Sequence, residues 1–263
     1  MTTPPDDGTA IDPRIRQRRE QVERSRTQKR LRWLAVAGGV AGLVALGVLL
    51  LHTPLFGARV VTVTGDHPYT PTPAIEVAAG VLHHPPLIDV DPGAAAARVE
   101  SLPFIATARV TRHWPDAVSI AVTERRPVTV MAGPAASWST LDGNGRTLTV
   151  TSGRPGLPVL AVRSVAGPVH PAPVGGTVAR AADPGLLVAR TLPAAFAGQV
   201  VSVTVAADGT VTLALSAGIT VLLGTGSELL TKYEDVAAII AHAPLRGDHT
   251  IDVTVPQSPT VGP

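Results

Sequence analysis

Residues 105–127 read I-A-T-A-R-V-T-R-H-W-P-D-A-V-S-I-A-V-T-E-R-R-P and carry the clearest strand pattern of the chain. Apolar and polar residues alternate over 105–112 and again over 117–124, as they do in strands with one buried face. The segment H-W-P-D at 113–116 separates the two runs and contains residues common in turns. These residues therefore predict two consecutive strands joined by a turn.

The residues before this pair predict one more strand and two helices. Residues 60–64 are β-branched throughout and end at a glycine, which predicts a strand. Thr72 fits the N-cap of a helix ending at Gly80, and Asp91 fits the N-cap of a second helix, because a proline follows each of them. The predicted order of elements over 58–126 is β-α-α-β-β.

Farther towards the N-terminus, residues 33–51 form one uninterrupted apolar run of nineteen residues without a charge. At ~1.5 Å per residue, a helix of this length comes close to the ~30 Å hydrocarbon core of a bilayer. No second such run follows it. The sequence therefore predicts a single-pass membrane protein.

The flanks of the apolar run predict its orientation. The leader, residues 1–32, carries nine basic and five acidic residues, whereas only Arg59 follows closely on the other side. The positive-inside rule then places the leader in the cytoplasm and residues 52–263 outside. A cleaved signal peptide is the competing interpretation, but it would have a shorter apolar core and an A-x-A-like cleavage site. Because the leader is highly charged and has no aromatic residues, we expect it not to fold alone.

The part after residue 127 is predicted to be mostly β. Its clearest strands, which are β-branched or alternating, lie at 200–205, 210–215 and 219–223. An Asp-Gly and an Ala-Gly pair separate them and fit hairpin turns. One helix is expected within 184–196 and another at about 226–241.

The helix at about 226–241 and the segment 250–255 are the last predicted elements of the folded part. Thr225 and Glu228 have the spacing of a capping box. The residues that fall on one face of this helix are Leu229, Tyr233, Val236 and Ile240. Residues 250–255 alternate polar and apolar side chains and precede a proline, so they are predicted to form a half-buried strand at the outer edge of the sheet.

The sequence shows no catalytic or metal-binding motif. It contains no cysteine, which excludes thiol catalysis and cysteine metal sites. The two lysines form no S-x-x-K pattern, so a hydrolase would depend on Lys232, which is expected to face solvent on its helix. The eight histidines lack the H-x-x-x-H spacing of metal ligands.

Charge distribution and aromatic content exclude further ligand classes. Outside the leader the chain has thirteen basic and fifteen acidic residues, so its high pI is a property of the leader and not a sign of nucleic-acid binding. Glu124, Arg125 and Arg126 end a predicted strand and are interpreted as an ion-pair cluster between two units rather than a catalytic acid with a basic clamp. We predict no cofactor, no metal, no nucleic acid and no small-molecule substrate.

Several segments taken together resemble one known family. They are 61–65, 86–87, 102–103, R-V-T-R-H-W-P at 109–115 and V-T-E-R-R-P at 122–127. In this order they are similar to the POTRA module of the bacterial cell-division family FtsQ, also called DivIB. Farther along, T-L-D at 140–142, G-L-P-V-L at 156–160 and the segment 218–224 followed by a lysine resemble the distal β domain of that family. The resemblance covers essentially the whole chain, although the Pro- and Gly-rich stretch 154–176 leaves strand register there open.

The resemblance implies an α+β fold with a single transmembrane helix, a β-α-α-β-β POTRA module, and a mostly antiparallel β domain with flanking helices. The expected boundaries are 1–32 for the cytoplasmic leader, 33–52 for the transmembrane helix, 58–126 for the POTRA module, 127–255 for the distal β domain and 256–263 for a C-terminal tail.

The resemblance also implies a non-enzymatic scaffold of the division septum in the plasma membrane. Such a scaffold would link early division proteins to peptidoglycan-synthesis proteins by binding small bitopic proteins of the FtsB/DivIC and FtsL types. A membrane-anchored extracytoplasmic cell-wall enzyme is the alternative. A POTRA-type transport or chaperone protein is a third possibility, which is disfavoured because the sequence lacks a series of amphipathic ~10-residue membrane strands.

Exposed sheet edges are the expected binding surface, since their unpaired N–H and C=O groups can pair with a partner strand. The predicted partner-binding residues are Tyr233, Thr250, Ile251, Asp252, Val253, Thr254 and Val255. In this segment the backbone groups of alternate residues point to the same side. The sequence leaves open whether the even-numbered or the odd-numbered residues point to the partner.

Overall fold

The computed structural model describes residues 13–53, 56–242, 249–256 and 258–262, with backbone alone for 13–31 and no side-chain description at 195. Residues 1–12 of the expected leader, and 257 and 263 of the expected tail, lie outside the described residues. The first element is the helix α1, Pro13–Leu51. Its portion Arg32–Leu51 is the one helical segment among the described residues that is long and apolar enough to cross a bilayer. It is not buried against the rest of the protein, as a lipid-facing span requires.

A three-stranded sheet with two helices packed on it follows α1. Its elements are β1 (Val60–Thr64), α2 (Thr72–Ala79), α3 (Pro92–Glu100), β2 (Ile105–His113) and β3 (Ala117–Glu124). The strand order is β1-β3-β2, with β1 parallel to β3 and β2 antiparallel to it. The predicted β-α-α-β-β order is confirmed. The alternation of apolar and polar residues predicted the ends of β2 and β3 to within one residue.

The caps of the two helices explain where they begin and end. The Asp91 carboxylate accepts hydrogen bonds from the Gly93 and Ala94 N–H groups at 2.8 and 3.2 Å, which confirms the predicted N-cap of α3. Gly80 ends α2 with a left-handed φ of 77°, a conformation that glycine adopts without strain. Thr72 was wrongly predicted as the N-cap of α2, since Pro71 holds that position and Thr72 already lies in the helix.

The second sheet contains ten strands within the part of the chain that the structure describes. They are β4 (Pro127–Ala132), β5 (Trp138–Asp142), β6 (Thr147–Thr151), β7 (Val159–Ser164), β8 (Gly167–Pro168), β9 (Val200–Val205), β10 (Val211–Leu215), β11 (Thr220–Gly224), β12 (Thr250–Asp252) and β13 (Thr260–Gly262). The order along the sheet is β13-β12-β11-β10-β9-β7-β4-β5-β6, and β8 pairs with β7 off this path. Most neighbours are antiparallel, as predicted.

The Pro- and Gly-rich stretch whose register the sequence left open contains β7, which lies near the middle of the sheet. β7 pairs in parallel with β9 over 159–162 and 202–205, and it also touches β4 in parallel at Val130. It thereby joins two antiparallel groups of strands into one sheet.

The α-helices described in this part of the chain are α4 (Asp183–Thr191), α5 (Ala194–Ala197) and α6 (Leu229–His242). α4 packs on β4, β7 and β9, and α6 packs on β11. The apolar face predicted for α6 is buried at Leu229, Tyr233 and Val236, and Ile240 is partly buried. The predicted capping box is wrong, because Glu228 stands immediately before α6 with a φ of 51° and Thr225 Oγ1 lies 2.9 Å from Ser227 Oγ instead.

The predicted outer strand 250–255 also differs from the structure. Only Thr250–Asp252 is strand, and β12 pairs with β11 on one side and with β13 on the other. The outer edge at this end of the sheet is therefore β13. The sequence did not indicate it because a three-residue strand between prolines is too short to show an alternating pattern.

Candidate functional site

The backbone of β12 shows which of its residues face outward. The Thr220 N–H donates to the His249 carbonyl oxygen at 2.9 Å, and the Val253 N–H donates to the Leu222 carbonyl oxygen at 3.0 Å. Alternation then directs the N–H and C=O groups of Ile251 to β11, and those of Thr250 and Asp252 to β13. Of the two sets that the sequence left open, the even-numbered residues are therefore the ones that point away from β11 and towards β13.

The side chains of this segment follow the same alternation. Ile251 and Val253 are fully buried in the core of the second sheet, whereas Thr250 and Asp252 are half-buried. Beyond the strand, Thr254 is exposed and Val255 is 63% exposed. The Asp252 carboxylate accepts a hydrogen bond from the Thr254 N–H at 2.9 Å, which turns the chain away from the sheet.

β13 covers the outer side of β12 with three residues. Gly262 lies opposite Thr250 and Thr260 lies opposite Asp252 in antiparallel register. Thr260 is exposed and Val261 is 47% exposed, so neither side chain contributes much to the core. β13 is thus held mainly by backbone pairing with β12.

The opposite edge of the sheet, β6, is partly covered by a loop. The Thr147 N–H donates to the Gly176 carbonyl oxygen at 2.9 Å, and the Gly175 N–H donates to the Thr147 carbonyl oxygen at 2.8 Å. The far end of β6 is exposed at Val150 and Thr151. This edge therefore offers fewer free backbone groups than its strand length suggests.

Tyr233, the predicted binding residue outside this segment, is a buried residue of α6. It is 3% exposed, its hydroxyl donates to the Val188 carbonyl oxygen at 3.3 Å and it lies 3.1 Å from Thr191 Oγ1. Its ring also packs against that of Phe196, with 6.1 Å between the centroids. Burial raises the pKa of the Tyr233 phenol, and the hydrogen bond with Thr191 opposes that shift. Tyr233 therefore fixes α6 to α4 and α5, and it forms the floor of an apolar groove between α5 and α6.

Lys232 was expected to face solvent, but the structure shows it fully buried. Its Nζ donates to the Leu223 carbonyl oxygen at 2.8 Å and to the Thr225 carbonyl oxygen at 3.0 Å. Because both acceptors belong to the backbone at the end of β11, the side chain ties α6 to that strand. These bonds are structural and provide no activated hydroxyl nucleophile of the kind that a Ser/Lys hydrolase needs.

The residues between the two sheets form the predicted ion pair through Arg125. Its Nη1 lies 2.8 Å from Asp142 Oδ2, and both side chains are largely buried. Glu124 takes no part in this pair, since its Oε2 accepts a hydrogen bond from the Tyr69 N–H at 3.1 Å. No cluster of three or more potential metal ligands occurs among the residues that the structure describes. This junction therefore joins the two sheets and shows no arrangement for catalysis.

Two family models and three relatives show what this chain is similar to, and the relatives are all named as cell division proteins. Residues 56–125 match the family model described as "POTRA domain, FtsQ-type", and residues 134–254 match "Cell division protein FtsQ/DivIB, C-terminal". The chain is 30% identical to the cell division protein FtsQ of Mycobacteroides abscessus, over 98% of this chain and 89% of that protein. It is 34% identical to the proteins of the same name from Mycolicibacterium smegmatis, over 96% and 69%, and from Streptomyces collinus, over 88% and 88%.

Proposed function

Since the chain belongs to the FtsQ/DivIB family of cell division proteins, we propose that it acts in division as a non-enzymatic scaffold. Its proposed partners are small bitopic division proteins of the FtsB/DivIC and FtsL types, through which it links early division proteins to peptidoglycan synthesis. The buried, backbone-bonded Lys232 supports a role without catalysis.

The pairing of β12 with β13 is the observation that carries this proposal. A partner strand takes the place of β13 and bonds to the N–H and C=O groups of Thr250 and Asp252. Strand addition of this kind obtains affinity from main-chain hydrogen bonds. Beyond the strand, the exposed Thr254 and Val255 extend the surface that the partner contacts.

β13 is suited to such an exchange because little holds it in place. It has three residues, one of them glycine, and its side chains are largely exposed. Short segments with few buried side-chain contacts open at a small free-energy cost. Ile251 and Val253, which bond to β11 and fill the core, keep β12 in the sheet during the exchange, and Tyr233 keeps α6 in place behind it.

Two proline variants test this proposal, because proline removes the N–H of its own position. Asp252→Pro removes an outward N–H, so we expect near-native thermal stability and at least tenfold weaker capture of the FtsB/DivIC-like partner by the full chain in nanodiscs. Val253→Pro removes the N–H that bonds to Leu222 and should unfold the second sheet. Normal capture by a stable Asp252→Pro variant would contradict the proposal.

Removal of residues 258–263 tests the role of β13 separately. Because the partner no longer has to displace this strand, we expect the truncated chain to bind the partner several-fold more tightly. If the truncation abolished binding while the thermal stability was retained, β13 itself would be the docking strand and the exchange would be disproved.

The proposed location is the plasma membrane at the division septum, with the leader in the cytoplasm and residues 52–263 outside. The charge difference across the span supports this orientation. A fluorescent fusion in dividing native cells should concentrate at the septum, and protease added to wall-stripped cells should remove residues beyond about 53 and spare the leader. Uniform membrane fluorescence would contradict the septal location. Protection of residues 54–263 from the protease would contradict the proposed orientation.

A further inference from the structure

The end of the first sheet nearest to α1 carries a group of exposed apolar, aromatic and basic side chains. We call it the basal surface, and it consists of Arg59, Leu82, His83, His84, Ile88 and Trp114, all of them exposed. Trp114 is 53% exposed although Phe56 packs against its ring, with 6.4 Å between the centroids. Neither the strand exchange at β12 nor the ion pair at Arg125 uses these residues.

Contacts at the start of the sheet place this surface next to the end of the membrane span. The His52 Nε2 atom, one residue after α1, lies 3.3 Å from Asp89 Oδ1 in the short 3₁₀ helix Leu87–Asp89, which also contains Ile88. The Ala58 N–H donates to the Pro85 carbonyl oxygen at 2.9 Å, and His84 Nδ1 lies 2.7 Å from the Ala58 carbonyl oxygen. Four residues lie between Leu51 and Phe56, so the five steps from one Cα atom to the other reach at most roughly 17 Å. The basal surface therefore lies near the headgroup layer through which α1 leaves the bilayer.

The chemistry of the surface fits that layer. Tryptophan is enriched at membrane interfaces because its ring is apolar and its N–H is polar. The side chains of His52, Arg59, His83 and His84 line one depression beside the end of α1. The hydrogen bond with the Val48 carbonyl oxygen raises the pKa of His52, and the nearby Asp89 carboxylate raises it further.

Charge decides which lipid the surface fits. Arg59 carries the permanent positive charge of the basal surface, and the carboxylate of Asp89 is already paired with His52. A basic side chain near an anionic membrane surface is worth about 1 kcal/mol, whereas a neutral headgroup layer offers no such attraction. Anionic phospholipid is therefore the favoured occupant.

We propose that the basal surface binds the headgroups of anionic phospholipids and thereby lays this end of the first sheet on the bilayer that α1 spans. The exposed side chains of Trp114, Leu82 and Ile88 enter the interface, and Arg59 with the histidines contacts lipid phosphate. This contact limits the angle between the first sheet and the membrane, and so limits the distance from the membrane at which β12 meets its partner.

Fluorescence from a single tryptophan tests the contact. The chain has three tryptophans, so Trp33→Phe with Trp138→Phe leaves Trp114 as the only reporter, and Trp33→Phe with Trp114→Phe leaves Trp138 in the second sheet as the matched control. Each chain is reconstituted in nanodiscs of phosphatidylglycerol or of phosphatidylcholine whose acyl chains carry bromine near the headgroup. We expect at least twofold stronger quenching of Trp114 in phosphatidylglycerol than in phosphatidylcholine, and no quenching of Trp138.

A charge variant separates lipid binding from simple proximity. Arg59→Ser combined with His83→Ser and His84→Ser should reduce the quenching of Trp114 in phosphatidylglycerol to the phosphatidylcholine level, and an unchanged circular dichroism spectrum shows that the fold is retained. Equal quenching in both lipids, or no effect of the charge variant, would overturn the assignment to anionic lipid. A Trp114 as unquenched as Trp138 would show that the surface is free for a protein partner and not seated on lipid.

Discussion

Lys232 shows how side-chain chemistry and helical periodicity can lead to opposite predictions at one residue. It lies three residues after Leu229 and four before Val236, so the period of the helix places it on the buried face of α6. Lysine is seldom buried without a partner, and this favoured the solvent-facing prediction. The carbonyl acceptors at the end of β11 make burial possible, and no sequence pattern indicates that they end beside α6.

Replacement of Lys232 measures this packing. Because Lys232→Ala removes a buried aliphatic chain and leaves two carbonyl groups without their donor, we expect the free energy of unfolding to fall by about 2–4 kcal/mol. Leu230→Ala is the control, since Leu230 is 70% exposed on the same helix and should change stability by less than about 0.5 kcal/mol. Denaturant unfolding of the full chain in nanodiscs measures both. Equal effects of the two substitutions would show that Lys232 is not a packing residue.

Because Tyr233 is buried, the free energy of unfolding should depend on pH in the alkaline range. Burial raises the pKa of its phenol in the folded state, so the stability it contributes is present below the unfolded pKa of about 10 and is lost as pH rises through the folded pKa. We expect the free energy of unfolding to decline above pH ~10 in the native chain, and to decline less in Tyr233→Phe. Identical pH profiles for the two proteins would contradict the buried hydroxyl.

Strands with a long alternating pattern of apolar and polar residues were predicted more accurately than short strands. β2 and β3 have eight or nine alternating residues, and both were placed within a residue of their true ends. β7 lies in the middle of the sheet, yet its neighbours β4 and β9 are distant in sequence, so no local signal fixes its register. The sequence predicted β12 but placed it at the edge of the sheet. It is an inner strand because β13 pairs with its outer side, and β13 is too short to be predicted.

The approach of α4 to the sheet depends on Gly185. A Cβ atom at this position would lie 2.5 Å from Leu160 Cδ1 and 2.6 Å from Val205 Cγ2, closer than packed carbon atoms come. We therefore expect Gly185→Ala to destabilise the second sheet by about 1–3 kcal/mol through overpacking. Gly198→Ala is the matched control, because nothing lies within 4 Å of its added Cβ. A thermal melt of both variants checks this, and an unaffected Gly185→Ala protein would show that α4 can shift without cost.

Two sheets with separate cores follow α1 in the chain. The ion pair of Arg125 with Asp142 joins the sheets, and its general position was predictable because charged residues end β3 directly before a proline. The partner residue in β5 was not predictable, since Asp142 belongs to a hairpin seventeen residues farther on. We propose that residues 58–126 and 127–255 are independent folding units.

The separate cores lead to a test of this division. A unit of about seventy residues buries only about 60% of the surface that its unfolded chain exposes, so its stability should be marginal. We expect residues 58–126 alone to unfold cooperatively at a modest temperature, as followed by circular dichroism. A fragment without a native-like spectrum at low temperature would place the boundary elsewhere.

A reversible lock on β13 tests whether a partner strand replaces β13 on β12. Asp252 and Thr260 lie opposite each other, in a pair whose Cα separation of about 5.5 Å permits a disulfide. Because the chain has no cysteine, Asp252→Cys with Thr260→Cys introduces one defined bond, and Asp252→Cys alone is the control under the same oxidant.

The measurement is the affinity of the full chain in nanodiscs for the exterior part of its FtsB/DivIC-like partner, before and after reduction. We predict that the oxidised double variant binds at least tenfold more weakly than its reduced form, while the single variant does not respond to oxidation. Equal affinity of the oxidised and reduced double variant would contradict strand exchange at β12.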